Sequence, residues 1–285
     1  MTQTPHPNLF LIGAQKSGTS TLNHLLVQHP EICNAGSKEL NIFHAPDSAT
    51  ARARLGERFR PRDPDASFVL DASVNYTRRP RHPHAPGNIR ELCGSDVRFI
   101  YVMRNPVDRL ISNYLYSGQK YGVPGSLEQT VQADPQMIDT GRYDFQLEPF
   151  LEAFPRERFL FLKFDDLSAK PQDTAYDVFS WLGLDALQQL TVTIKNKTAK
   201  KPIRMHPAVV RGLLSTNMSR RLISRLFSDK TKRRLAQAFA REGALMEPPR
   251  TFKVWLMQTH YVDSIRRTQA LTGLSLEDWI ATYSN

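Results

Sequence analysis

Residues Asn8–Leu22 read NLFLIGAQKSGTSTL, and the way this stretch folds decides how the rest of the chain is read. Leu9, Phe10, Leu11 and Ile12 form a short apolar run closed by Gly13. Unbroken hydrophobicity, in place of alternation, marks a strand covered on both faces. A loop of small residues around one cation follows (Gly13 to Ser20), and Leu22, Leu25 and Leu26 then recur at helical spacing. Strand, loop and helix start together make an anion site: unpaired amides and the positive end of the helix point into the loop, and Gly18 lets the main chain approach closely.

Gly13 and Gly18 have the separation of a nucleoside-triphosphate P-loop, but the lettering differs. That motif carries its lysine directly after the second glycine, with a hydroxyl beside it for Mg²⁺. Here Thr19 stands at the lysine position and Lys16 lies within the loop. A lysine there can reach the bridging oxygen of a phosphate-linked leaving group, and no ligand pair for a metal accompanies it. The plainer alternative is a solvated surface lysine. A buried strand running straight into the loop favours the anion site.

An apolar content of 40% over 285 residues permits one large α/β core or two small ones. No run of about 18 apolar residues and no charged-then-apolar leader is present, so a soluble, cytoplasmic protein without a transmembrane segment is expected. Cys33 and Cys93 have no metal-ligand spacing and read as buried free thiols. The formal charge of +10 favours anionic partners, with nucleic acid and a sulfated nucleotide both open on this ground alone.

A second anchor lies at residues 97–117, VRFIYVMRNPVDRLISNYLYS. Val97 to Val102 read as another buried strand with Arg104 at its end, Asn105 suits a helix N-cap and Pro106 the first helical position. Ser112 falls about two turns in, roughly 10 Å along the axis at about 1.5 Å per residue. Arg104 and Ser112 therefore share an anion only if it lies beside the helix. The alternative is an Arg104–Asp108 pair with Ser112 facing the core.

Elsewhere, strands are expected at 31–35, 67–71 and 159–164 and helices at 49–59 and 171–182, the latter closed by Gly183. Pro149 should enter or kink a helix that runs to Phe154. Lys38 to His44 (KELNIFH) combines an acid and bases with apolar anchors, and taken alone is a mixed loop. Residues 77–88 read as a basic, breaker-rich loop and 118–140 as a polar segment. Tyr143 is either packing or a ring that stacks on a ligand. Residues 195–206 (KNKTAKKPIRMH) form a basic loop, and 207–242 read as three amphipathic helices.

Lys16-Ser17-Gly18-Thr19 resembles the 5′-phosphosulfate loop of sulfotransferases that use 3′-phosphoadenylyl sulfate (PAPS), in the branch of heparan-sulfate and bacterial carbohydrate enzymes. RNPVDRxxSxY resembles that family's 3′-phosphate segment, with Arg104 and Ser112 at the matching positions. The resemblance covers nearly the whole chain, thinning at 46–66 and 185–260. It extends to Gly141-x-Tyr143-x-x-Gln146-Leu147 and to a closing segment ending at Trp279, whose role in the family is structural. It implies an α/β fold, a single domain over 1–285 with a mainly parallel central sheet flanked by helices and a P-loop-like phosphosulfate loop. It implies PAPS as cosubstrate, no metal and no nucleic acid, with Lys16, Ser17, Gly18, Thr19, Ser20, Arg104 and Ser112 on the nucleotide and, from the basic loop, Lys201 and Arg204. Glu39 matches the base that takes the acceptor's proton, with His44 in reserve, and Lys16 would act with it in catalysis. The acceptor is a hydroxyl or amine, with a carbohydrate favoured by the branch. Ala72 stands where several members carry a second lysine, which leaves more of the burden on Lys16. Two rivals stay open: a small-molecule kinase with a degenerate P-loop, in which Asp71 would hold Mg²⁺, and a polyanion-binding protein without chemistry.

Overall fold

The computed structural model describes residues 6–63, 65–120, 125–193, 203–205, 241–243 and 248–284. Five strands form one sheet: β1 (Leu9–Gly13), β2 (Ile32–Asn34), β3 (Phe68–Asp71), β4 (Arg98–Met103) and β5 (Phe159–Lys163), in the order β2-β3-β1-β4-β5 with every pairing parallel. Parallel strands need crossovers, and helices supply them: α1 (Thr19–Leu26), α2 (Ser48–Arg58), α3 (Ala85–Cys93) and α4 (Pro106–Lys120). The expected α/β fold with a parallel central sheet is thus the one observed.

The unbroken apolar runs have the cause inferred for them. Phe10, Ile12, Phe99 and Tyr101 pack into a core on one face of the sheet, and Leu9, Leu11, Ile100 and Val102 into a core on the other. Successive side chains point to opposite faces, so a central strand covered twice must be apolar at every position. Phe10 and Phe99 face each other in register, their rings stacked at 5.5 Å.

The strand order reverses at β1. The chain leaves β1 towards β2 and β3, then returns across it to β4 and β5. At such a reversal the loops after two neighbouring strands part in opposite directions and leave a crevice at the strands' carboxyl ends. The loops that part here follow β1 and β4, and they carry Lys16 and Arg104.

Helices also occur where turns and polar loops are predicted. α3 starts inside the breaker-rich stretch because Pro86 occupies its first turn, where no backbone N–H is needed, while Ala85, Ile89 and Cys93 face the core. The polar segment contains α5 (Leu127–Ala133) and α6 (Gln136–Asp139). Ser126 and Gln129 form a reciprocal capping box at the start of α5, a signal that the polar composition obscures. α7 (Tyr143–Ala153) holds Pro149 within it, and α8 (Phe164–Ala169) and α9 (Pro171–Leu182) follow β5. β6 (Ile203–Met205) pairs antiparallel with β7 (Arg241–Gly243). The three helices expected at 207–242 fall almost entirely outside the described residues, and their last two positions lie in β7. The chain closes with α10 (Arg250–Leu256), a π-helical turn at Met257–Tyr261, α11 (Val262–Thr272) and α12 (Glu277–Thr282). Among the described residues no helix is long and apolar enough to cross a membrane.

Candidate active site

The loop after β1 is shaped by close packing. A Cβ on Gly13 would lie 2.2 Å from Tyr101 Cε2 and 2.6 Å from Thr77 Oγ1, so only glycine fits where the strand ends. Thr77 Oγ1 donates to Ile12 O at 2.7 Å, and Ala14 N donates to Val102 O at 2.7 Å, which ties the end of β1 to the turn after β3 and to the neighbouring strand β4. Gly18 is left-handed (φ 81°) and serves as the N-cap of α1, where no side chain caps the free amides. Ser17 is fully buried, Thr19 is buried and Ser20 half-buried along the loop and first turn.

Lys16 is itself left-handed, with φ 72°. Its ammonium lies 4.1 Å from the centroid of the Tyr116 ring. Burial lowers its pKa, and the positive charge of Arg104 lowers it further. The two strand-end cations are therefore close enough to repel each other, and an anion between them would relieve both.

Arg104 is held through its backbone. The Tyr143 hydroxyl donates to Arg104 O at 2.6 Å and accepts from Arg104 N at 3.3 Å. The guanidinium lies over the Phe164 ring, 4.7 Å from its centroid. The alternative pairing with Asp108 is absent among the described residues, and Asp108 instead accepts a hydrogen bond from Tyr283 at 2.6 Å. Asn105 accepts from Val107 N at 3.1 Å as the N-cap of α4 and donates to Trp279 O at 3.2 Å, so α12 braces the turn that carries Arg104. Ser112 is buried two turns along α4.

Glu39 lies at the carboxyl end of β3, its N–H donating to Ala72 O at 3.0 Å. It too is left-handed (φ 65°), as is Asn41 (φ 54°), and with Lys16 these are the non-glycine residues of positive φ among the described residues. A glutamate or lysine in that region is strained, and such strain collects at functional sites. The carboxylate is a third exposed, pairs with Lys38 and accepts from Val74 N at 3.2 Å.

A buried carboxyl, which the sequence reading considers only for metal binding, fixes this loop. Asp71 is fully buried and accepts from Ser73 Oγ and Tyr76 OH, both at 2.6 Å. Ser73 Oγ in turn accepts from Asn41 N at 3.1 Å, and Tyr76 OH from Ile42 N at 3.1 Å. Both Asp71 oxygens thus serve to anchor the Glu39 loop, which argues against the metal role that the kinase reading needs. Burial raises the Asp71 pKa from 3.8 to about 6 against those two hydrogen bonds, with Glu39's charge adding to the rise. The folded state therefore holds this proton up to higher pH than the unfolded chain. Its contribution to stability is full below pH 3.8 and is lost as pH rises through about 6. Between those limits the loss is about 3 kcal/mol. Denaturant unfolding from pH 4 to 7 should show this decline in the wild type and a flatter profile in Asp71→Asn.

His44 stacks flat on His82 at 4.4 Å, with its Nδ1 buried and without a hydrogen-bond partner among the described residues. Burial and the charges of Arg54, Arg58 and Arg78 lower its pKa. Lys201 lies outside the described residues. Arg204 lies in β6 opposite Glu242, on a strand packed against α4. Tyr116 and Phe164 are the site residues that the sequence reading passes over. Tyr116 was accessible from helical spacing, four residues after Ser112 on one face of α4.

Residues 6–242 match the sulfotransferase domain family. The chain is 30% identical over 190 residues to human heparan sulfate glucosamine 3-O-sulfotransferase 6, a match covering 62% of this chain and 52% of that protein. It is 28% identical over 190 residues to mouse heparan sulfate glucosamine 3-O-sulfotransferase 3A1, covering 62% and 46%. The chain spans about half the length of the curated relatives it matches. A solved sulfotransferase from Alicyclobacillus acidocaldarius shares the fold with a TM-score of 0.65 at 20% identity, over 97% of this chain and 99% of that one.

Proposed function

The chain belongs to the sulfotransferase family, and on that premise we propose that it transfers a sulfonate group from PAPS to a carbohydrate hydroxyl. The observation that carries this reading is the pair of cations at the ends of β1 and β4. The charge of Arg104 acts on Lys16, neither is ion-paired to a carboxylate among the described residues, and the start of α1 that follows Lys16 carries no side-chain cap. Such a donor set suits a nucleotide with a phosphate at each end.

PAPS supplies an activated sulfonate on a phosphate leaving group. Lys16 and the amides of residues 18–20 stabilise charge that grows on that phosphate, and Arg104 with Ser112 holds the nucleotide's far phosphate. Glu39 takes the proton of the attacking hydroxyl. A sulfonate in transfer carries less charge than a phosphoryl group, so a lysine and loop amides suffice for this step.

For the acceptor, the surroundings of the Glu39 loop support an anionic carbohydrate. The charges of Arg54 and Arg78 act on both His44 and His82, that of Arg81 on His82, and among the described residues none of the three arginines is ion-paired. The names of the relatives, which act on heparan sulfate glucosamine, point the same way. Calorimetric titration with adenosine 3′,5′-bisphosphate and with ATP–Mg²⁺ tests the donor. The bisphosphate should bind the more tightly; preference for ATP–Mg²⁺ would end this reading.

A further inference from the structure

Both cations of the crevice rest on aromatic rings: Lys16 on Tyr116 at 4.1 Å and Arg104 on Phe164 at 4.7 Å. A half-buried cation needs some partner, because desolvation disfavours its charge. The common partner is a carboxylate, which would neutralise the lysine and have to be displaced by every incoming phosphate. A ring face attracts a cation through its quadrupole, carries no net charge and leaves the ammonium's hydrogen-bonding directions open.

We propose that Tyr116 is a positioning residue for Lys16, its ring face holding the loop lysine charged and oriented while leaving it available to the donor's phosphate. The placement on α4 suits this role. Tyr116 lies four residues beyond Ser112 on the same helix, so one helical face bears on both ends of the proposed nucleotide site. Lys16 meets that ring from a left-handed backbone, which restricts where its side chain can extend. Arg104 on Phe164 repeats the device with a guanidinium, at the end of the neighbouring strand.

The inference rests on the sulfotransfer reading, and nucleotide binding separates the two. Adenosine 3′,5′-bisphosphate is titrated calorimetrically into the full chain as wild type, Tyr116→Leu, Tyr116→Phe, Lys16→Met and the Lys16→Met/Tyr116→Leu double variant. Tyr116→Leu should weaken binding by about 2- to 30-fold, the span of a cation–π contact from exposed to desolvated. Tyr116→Phe, which keeps the ring face, should stay within about twofold of wild type. In the Lys16→Met background Tyr116→Leu should add less than about twofold, because the ring acts through the lysine. A purely structural tyrosine would instead weaken binding equally in both backgrounds, and that outcome overturns the proposal, as does unchanged affinity in Tyr116→Leu. Tyr116→Met serves in place of the leucine variant if the latter does not fold. A wild type that fails to bind the bisphosphate overturns the functional reading itself and this inference with it.

Discussion

Lys16→Met is expected to lower kcat by about 10²- to 10³-fold, the cost of removing a donor aimed at charge that develops in the transition state. The loss should fall mainly on kcat, since the leaving phosphate gains charge as its bond to sulfur breaks and the lysine answers that gain. Affinity for adenosine 3′,5′-bisphosphate should fall less, by about tenfold, the value of one charge-assisted contact. Thermal stability should change little, because Lys16 has no carboxylate partner among the described residues and its removal leaves no buried counter-charge. Lys16→Arg should not restore the rate, as a planar guanidinium is larger than the ammonium that the Tyr116 ring seats. Burial and Arg104 lower the Lys16 pKa in the nucleotide-free site, so the alkaline decline of wild-type kcat/KM for PAPS, which reports the free enzyme, should begin below the pH at which an ordinary lysine deprotonates. Steady-state kinetics showing a kcat within tenfold of wild type in Lys16→Met would remove the lysine from the chemistry.

Glu39→Gln should cost about 10²- to 10⁴-fold in turnover, the range for a general base, with nucleotide affinity within about twofold of wild type. The substitution is close to isosteric. A glutamine oxygen can still accept from Val74 N, and the loop stays fixed by Ser73 and Tyr76 on Asp71, so neither the backbone nor the nucleotide crevice need move. What is lost is the ability to take a proton. The ion pair with Lys38 disappears too, but it is partly exposed and contributes little to stability. Single-turnover assays with PAPS and a carbohydrate acceptor measure the step directly. Substantial turnover in Glu39→Gln would assign the base elsewhere and bring His44 forward, although its stacking on His82 engages one face of the ring.

Much of the fold is legible before any coordinates. Leu9 to Ile12 and Phe99 to Val102 are apolar at consecutive positions, and only a strand sandwiched between two layers requires that. Helix ends are equally plain where a backbone rule fixes them, as at Asn105-Pro106 and Gly183. α3 and α5 are less so. Their starts use Pro86 and the Ser126–Gln129 box, features that in a polar or proline-rich context read first as loop.

The sequence by itself determined the parallel sheet, the loop after β1 and the strand-end arginine, because each depends on local spacing that survives in one dimension: apolar runs, glycines a fixed distance apart, a cap and a proline. Tertiary structure alone decided what those residues meet. It brought the ends of β1 and β4 to one crevice, set Tyr116 under Lys16 and Phe164 under Arg104, and buried Asp71 beneath the Glu39 loop. Lys16 and Tyr116 are a hundred residues apart in the chain, and their contact follows only from strand order and helix placement, which no local pattern encodes.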